Sequence, residues 1–140
     1  DHEGGDRSPL IAHWPQGIPR KGKLEKAVCH VTDLMPTLLE STGIAYPEKF
    51  EGQSILPHVG RSFAQAFAGK TVANRETIFW KHAKGKALRD GDWKLVAQSR
   101  GEWELYNLAK DPTELNNLAG SKPEKVSGLR KKWQAWQDGQ

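Results

Sequence analysis

The chain has 140 residues, enough for one compact domain and too few for two ordinary ones, with 36% apolar and 27% charged residues. Leu, Ile, Val and Phe number only 28, which borders on a disordered composition, but a net charge of +4 is too small to hold the chain open, and six Trp add core material. No apolar run approaches the ~20 residues of a membrane span, and the one cysteine, Cys29, makes neither an intrachain disulfide nor a zinc cluster.

The opening Asp1-His2-Glu3-Gly4-Gly5 has no Met and no basic, apolar signal pattern, so it reads as a cut inside a longer protein or a trimmed chain. The run Leu10–Trp14, bounded by Pro9 and Pro15, fits a strand buried on both faces, although no second strand of this kind follows to pair with it. Residues 16–30 form a basic loop with Arg20, Lys21, Lys23 and Lys26. The spacing predicts a helix over 33–42. Asp33 is its N-cap, Leu34, Leu38 and Leu39 lie on one face, and Gly43 is its C-terminal cap. Residues 44–76 are loop-like, with a short helix at 62–68.

The period then changes. Residues 77–82, 86–89, 93–97 and 103–107 are four segments of strand length. Gly85, Asp90-Gly91-Asp92 and Arg100-Gly101 separate them, and Asp-Gly between alternating runs is a hairpin signal. Trp93, Leu95 and Ala97 share one face, as do Trp103 and Leu105, so an antiparallel meander with one buried face is expected. A last helix covers 121–137, with a Ser121/Glu124 capping box and an apolar stripe of Val126, Leu129, Trp133 and Trp136 to cover the meander.

Candidate chemistry is sparse. The five His are scattered without metal-ligand spacing, and Asp111, Glu114, Asn116 and Asn117 lack the calcium-loop pattern and read as a turn followed by a helix start. Cys29 reads as a small buried hydrophobe rather than a nucleophile. The basic group Lys81, Lys84, Lys86 and Arg89 near Trp80 is either the polar face of a hairpin or a basic, aromatic patch for single-stranded nucleic acid, and no nucleic-acid motif accompanies it. His82, at a strand end beside Lys81 and Lys84, is either a surface His or a contact for an anionic ligand.

Five stretches occur in an order that resembles sulfatases of the arylsulfatase type, in the alkaline-phosphatase-like superfamily. They are Glu3-Gly4-Gly5-Asp6-Arg7-Ser8-Pro9-Leu10-Ile11 with Trp14-Pro15, His30–Leu39, Glu51–Pro57, Ala87–Val96, and Glu104–Leu108 with Asp111–Glu114 and Asn117-Leu118-Ala119. The resemblance implies an α+β fold: a four-stranded antiparallel sheet packed on a C-terminal helix, preceded by a βα piece of a larger α/β domain. Residues 1–57 would close the large catalytic domain, 58–76 would connect, and 77–140 would be the small C-terminal domain.

The resemblance also implies what the chain lacks. The C/S-x-P-x-R motif that yields the formylglycine nucleophile is absent, since His30-Val31-Thr32 follows Cys29. The calcium ligands, and a sulfate-contacting Lys before the Glu-Gly-Gly, would lie upstream. No catalytic or metal residue is therefore expected in this chain, and the isolated chain is expected to be inactive. Calcium and formylglycine belong to the parent enzyme. His82, with Lys81 and Lys84, would line the pocket rim and meet a sulfated small molecule or glycan. The expected partner is the N-terminal catalytic domain, in a periplasmic or secreted protein, with no nucleic acid and no membrane. Residues 1–57, without their sheet partners, would be loosely held or would pair two copies into a homodimer. Rival readings are a related phosphodiesterase or phosphonate hydrolase, or a stand-alone basic module for sulfated glycan.

Overall fold

The structure is a computed structural model that describes residues 2–19, 22–73, 75, 77–98 and 101–140. They form two compact units, one of residues 1–10 with 76–140, the other of residues 11–75.

The first unit is built on a meander. β3 (Thr77–His82), β4 (Gly85–Asp90), β5 (Trp93–Ala97) and β6 (Glu104–Asn107) pair antiparallel in chain order, within a residue of the expected bounds. Gly91, with φ of +60°, opens the two-residue turn between β4 and β5, as Asp-Gly chemistry requires. The register sets Phe79 opposite Leu88, Leu88 opposite Leu95, and Leu95 opposite Leu105. Directly opposed residues share a face, so one face carries an apolar band across all four strands. α4 (Pro123–Asp138) lies on that band, with Leu129 and Trp133 buried and Val126 and Trp136 packed against the same cluster. The Phe79 and Trp136 rings stack 5.0 Å apart and 3° from parallel. The expected capping box does not form. Lys122 is the N-cap, and the Ser121 hydroxyl donates to Leu118 O at 3.1 Å.

The opposite face is also buried, which the alternation did not foretell. Ala87, Val96, Tyr106 and Leu108 form a second cluster with Trp80. Lys94 lies on this face with no exposed surface. The one-turn helix α1 (Glu3–Asp6) closes over it. The Lys94 ammonium donates to Glu3 Oε1 at 3.0 Å and Asp6 Oδ2 at 3.2 Å, and lies 3.3 Å from Glu114 Oε1. The Glu3 N–H donates to Glu114 Oε2 at 2.6 Å. His2 bonds Glu104 at 2.8 Å and Gln98 at 3.0 Å, and its ring meets Tyr106 edge-on. Burial would raise the Glu104 carboxyl pKa, but hydrogen bonds from Tyr106 and His2 outweigh it and hold the group below its ordinary value. Residues 2–6 are thus fastened to the sheet, not loose.

The second unit departs more from expectation. Leu10 and Ile11, read as part of a buried strand, are exposed, and the run to Trp14 is irregular. A strand exists only through its ladder, and among the described residues no chain pairs with this run. Val31–Asp33 form a 3-10 turn that leads into α2 (Leu34–Thr42), and Gly43 ends the helix in the left-handed conformation at φ of +70°. Asp33 stands at the N-cap position of α2, as expected, but its side chain makes no cap bond there. The 3-10 turn before it is capped by His30, which completes a reciprocal capping box with Asp33. Leu34, Met35 and Leu38 face outward, while Pro36 and Thr37 are the buried residues. A small hairpin joins β1 (Lys49–Phe50) to β2 (Gln53–Ser54), and α3 (Ala64–Phe67) is the short helix expected near 62–68.

Asp33 organises this unit. Its carboxylate accepts from the His30 N–H at 2.8 Å, the Arg61 N–H at 2.8 Å and the Arg75 guanidinium, while the Thr37 hydroxyl ties the Asp33 carbonyl to the Phe63 N–H. Burial alone would raise the Asp33 pKa. The hydrogen bonds from Arg75, Arg61 and His30 outweigh it and hold the carboxyl below the usual aspartate range.

Two outcomes are expected. Lys94→Met should cost about 3–5 kcal/mol in equilibrium unfolding, because three carboxylates lose their buried cation. Lys132→Met, which breaks a pair with Asp90 on an exposed surface, should cost under about 1 kcal/mol. Equal losses would contradict the role given to Lys94. For Asp33, a lowered folded pKa adds stability that is present above the unfolded pKa and lost as pH falls through the folded one. Acid unfolding of the wild-type chain should therefore depend more steeply on pH than that of Asp33→Asn, and matching slopes would contradict it.

Candidate functional site

The β3–β4 hairpin gathers the predicted rim residues at one turn. His82 pairs with Gly85 as the last rung, and Ala83 and Lys84 make the two-residue tip. Lys81, His82 and Lys84 are all exposed. Alternation sends Lys81 and His82 to opposite faces of the sheet. Lys81 stands opposite Lys86, whose ammonium sits 4.8 Å from the centre of the Trp103 ring and 5.6 Å from that of Trp133. His82 shares its face with Trp80, as the strand period requires. The tip therefore carries two lysine ammonium groups and an imidazole, and among the described residues no carboxylate pairs with Lys81 or Lys84.

The tip is also strained. Ala83 has φ of +52°, where a Cβ costs about 1–2 kcal/mol. Glycine is the usual residue at that place in a two-residue hairpin turn.

The other candidates resolve into structure. Asp111 accepts from the Leu115 and Asn116 N–H groups at 3.1 and 2.8 Å, and Asn117 accepts from the Leu105 and Ala119 N–H groups at 3.1 and 2.9 Å. Glu114 turns inward to Lys94. These residues support a turn, and α4 begins only at Pro123. Cys29 is exposed, which corrects the expectation of a buried thiol. Desolvation, then the Asp33 charge, push its pKa up, so it is not an activated nucleophile. Arg20 and Lys21 lie outside the described residues, while Lys23 and Lys26 are exposed.

Among the described residues no group of three His, Cys, Asp or Glu side chains is placed to hold a metal ion. The three carboxylates that do converge, Glu3, Asp6 and Glu114, enclose the Lys94 ammonium. Sequence reading missed this cluster. Its signal was present in Lys94, a cation in the middle of a strand of Trp, Leu, Val and Ala. Among the described residues no helix is long and apolar enough to cross a membrane.

Comparison with known proteins completes the picture. Over 53 residues the chain is 38% identical to the ulvan-active sulfatase of Formosa agariphila, a stretch that is 38% of this chain and 10% of that protein. A chain from Bacteroides fragilis assigned as a sulfatase shares the fold at a TM-score of 0.59 and 21% identity, covering 89% of this chain and 28% of its own. The phosphonate monoester hydrolase of Agrobacterium radiobacter does so at 0.51 and 23% identity, covering 76% of this chain and 24% of its own. This chain thus spans a small fraction of each relative's length. Residues 2–136 match the family described as N-sulphoglucosamine sulphohydrolase, C-terminal. With nearly its whole length matched, the chain belongs to that family of sulfatase C-terminal domains.

Proposed function

We propose that this chain serves a sulfatase acting on aryl or carbohydrate sulfate esters, with the β3–β4 tip forming part of the rim of the substrate pocket. The observation that carries the reading is the strained, exposed tip, where Lys81, His82 and Lys84 surround a non-glycine residue at positive φ. Lysine ammonium groups on a two-residue hairpin turn suit a sulfated ligand, because the paired strands leave the backbone little freedom to lose on binding.

The chemistry of ester cleavage lies elsewhere in this reading. The residues here do not fit the calcium and formylglycine expected of the parent enzyme: the carboxylates near α1 hold Lys94, and Cys29 is neither activated nor in the required motif. No step is therefore assigned to them. This chain would dock on an N-terminal catalytic domain. The outward Leu34, Met35 and Leu38 of α2 give that domain an apolar surface to cover. The parent would be exported to the periplasm or secreted, the setting expected of such sulfatases.

A phosphonate or phosphodiester hydrolase is the second reading, because the Agrobacterium radiobacter enzyme shares the fold. That likeness is of fold alone. The match to a sulfatase family and to a 38% identical sulfatase favours the first reading.

The test is kinetic. In the enzyme that contains this chain, His82→Ala and Lys84→Ala should each raise KM for a sulfated substrate up to about tenfold, ~1.4 kcal/mol, with kcat nearly unchanged. Unchanged KM in both would remove the rim role. Cleavage of a phosphonate monoester with no sulfate release would favour the second reading. The isolated 140-residue chain should release no sulfate from an aryl sulfate, and turnover that survives removal of contaminating enzyme would overturn that.

A further inference from the structure

We propose that a groove between the Trp14–Gly17 turn, the end of α2 and α3 is a second binding site, which takes an uncharged hexopyranose unit of a polysaccharide by stacking it on Trp14. The groove lies wholly within the unit of residues 11–75 and has a volume of about 310 Å³. That is within the range of small-ligand sites.

The turn fixes the Trp14 ring as a platform. Gly17 N–H and Ile18 N–H both return to Trp14 O, at 3.0 and 2.8 Å. A Cβ at Gly17 would stand 2.2–2.4 Å from three atoms at the ring fusion, so the indole lies face-down on the glycine backbone. Phe67 meets the indole edge-on, with centroids 6.3 Å apart and planes 84° from parallel. Gly17 covers one side of the ring and Phe67 packs against it at nearly a right angle, and Trp14 still keeps 41% of its surface in solvent. A large aromatic seated this way loses little side-chain freedom when a ligand covers it.

The groups around the platform suit a sugar. Glu40, Gln65 and Lys70 are exposed, and among the described residues none of their side-chain head groups has a hydrogen-bond partner. The Ser41 hydroxyl donates to Thr37 O at 2.7 Å and keeps its acceptor capacity. A pyranose has an apolar C–H face to lay on an indole and a rim of hydroxyls that both donate and accept. A carboxylate, an amide and an ammonium lining the same groove as the indole match that rim. Glu40 and Lys70 cancel in charge, so the groove does not select a polyanion, in contrast to the β3–β4 tip. A nucleic-acid strand would need a net basic groove as well as the aromatic face.

The experiment is titration of the 140-residue chain with three uncharged β-1,4-linked probes, cellohexaose, mannohexaose and galactohexaose, followed by calorimetry and by the Trp14 indole N–H resonance. Saturable binding of at least one probe is expected, with a shift of that resonance and little change between low and high salt. Trp14→Ala should abolish binding. Gln65→Ala, an exposed change that leaves the turn intact, should weaken it about fivefold, the loss of one good hydrogen bond. His82→Ala should leave it unchanged, so the groove is tested separately from the tip. No saturable binding to any of the three probes, or affinity undiminished in both Trp14→Ala and Gln65→Ala, would overturn the proposal.

Discussion

A lysine ammonium with no exposed surface sits at the centre of the sheet unit, and much of that unit is arranged to make it tolerable. Removing an ion from water costs several kcal/mol even after relaxation, so Lys94 requires counter-charge at contact distance. The carboxylates come from remote places in the chain, Glu3 and Asp6 from α1 and Glu114 from the loop after β6. Glu114 reaches inward from a left-handed backbone, φ of +57°, a conformation that costs an L-residue about 1–2 kcal/mol. That strain is offset by the charge contacts and by the Glu3 N–H, which also binds Glu114. The antiparallel register decides which face Lys94 occupies, and Lys94 then decides where the N-terminal residues must lie.

The unit of residues 11–75 follows the same logic with the sign reversed. Asp33 gathers two backbone N–H groups and a guanidinium, and through Thr37 it also fixes Phe63. Such hubs replace part of the apolar area that this composition lacks. Surface ion pairs do not do this, because water already satisfies their charges.

The meander and α4 were legible because their signals are local. Asp90-Gly91 marks a turn, Trp93, Leu95 and Ala97 alternate, and Leu129, Trp133 and Trp136 recur at helical spacing. The second buried face was not legible. A strand reading assigns Lys94 to solvent, and the carboxylates that reverse this are remote in sequence. Leu10–Trp14 failed for the opposite reason, since an apolar run specifies burial only when a partner is present to provide it. The start of α2 was legible at Asp33, a good cap by type, but the 3-10 turn before it, capped by His30, was not. At the candidate site, the grouping of Lys81, His82 and Lys84 at a strand end and the opposed directions of Lys81 and His82 were legible from adjacency and alternation. The two-residue turn and the positive φ at Ala83 needed coordinates. The Trp14 groove was invisible in sequence, since α2 and α3 complete it with residues from Glu40 onward, remote from the turn.

The central claim is that Lys94 fastens residues 2–6 to the sheet, and amide hydrogen exchange tests it most directly. The Glu3 amide, bonded to the Glu114 carboxylate at 2.6 Å, should be strongly protected in the wild-type chain. In Lys94→Met that protection should collapse, while the amides of the β4–β5 ladder remain slow. A Glu3 amide that exchanges at the free-peptide rate in the wild-type chain would contradict the account.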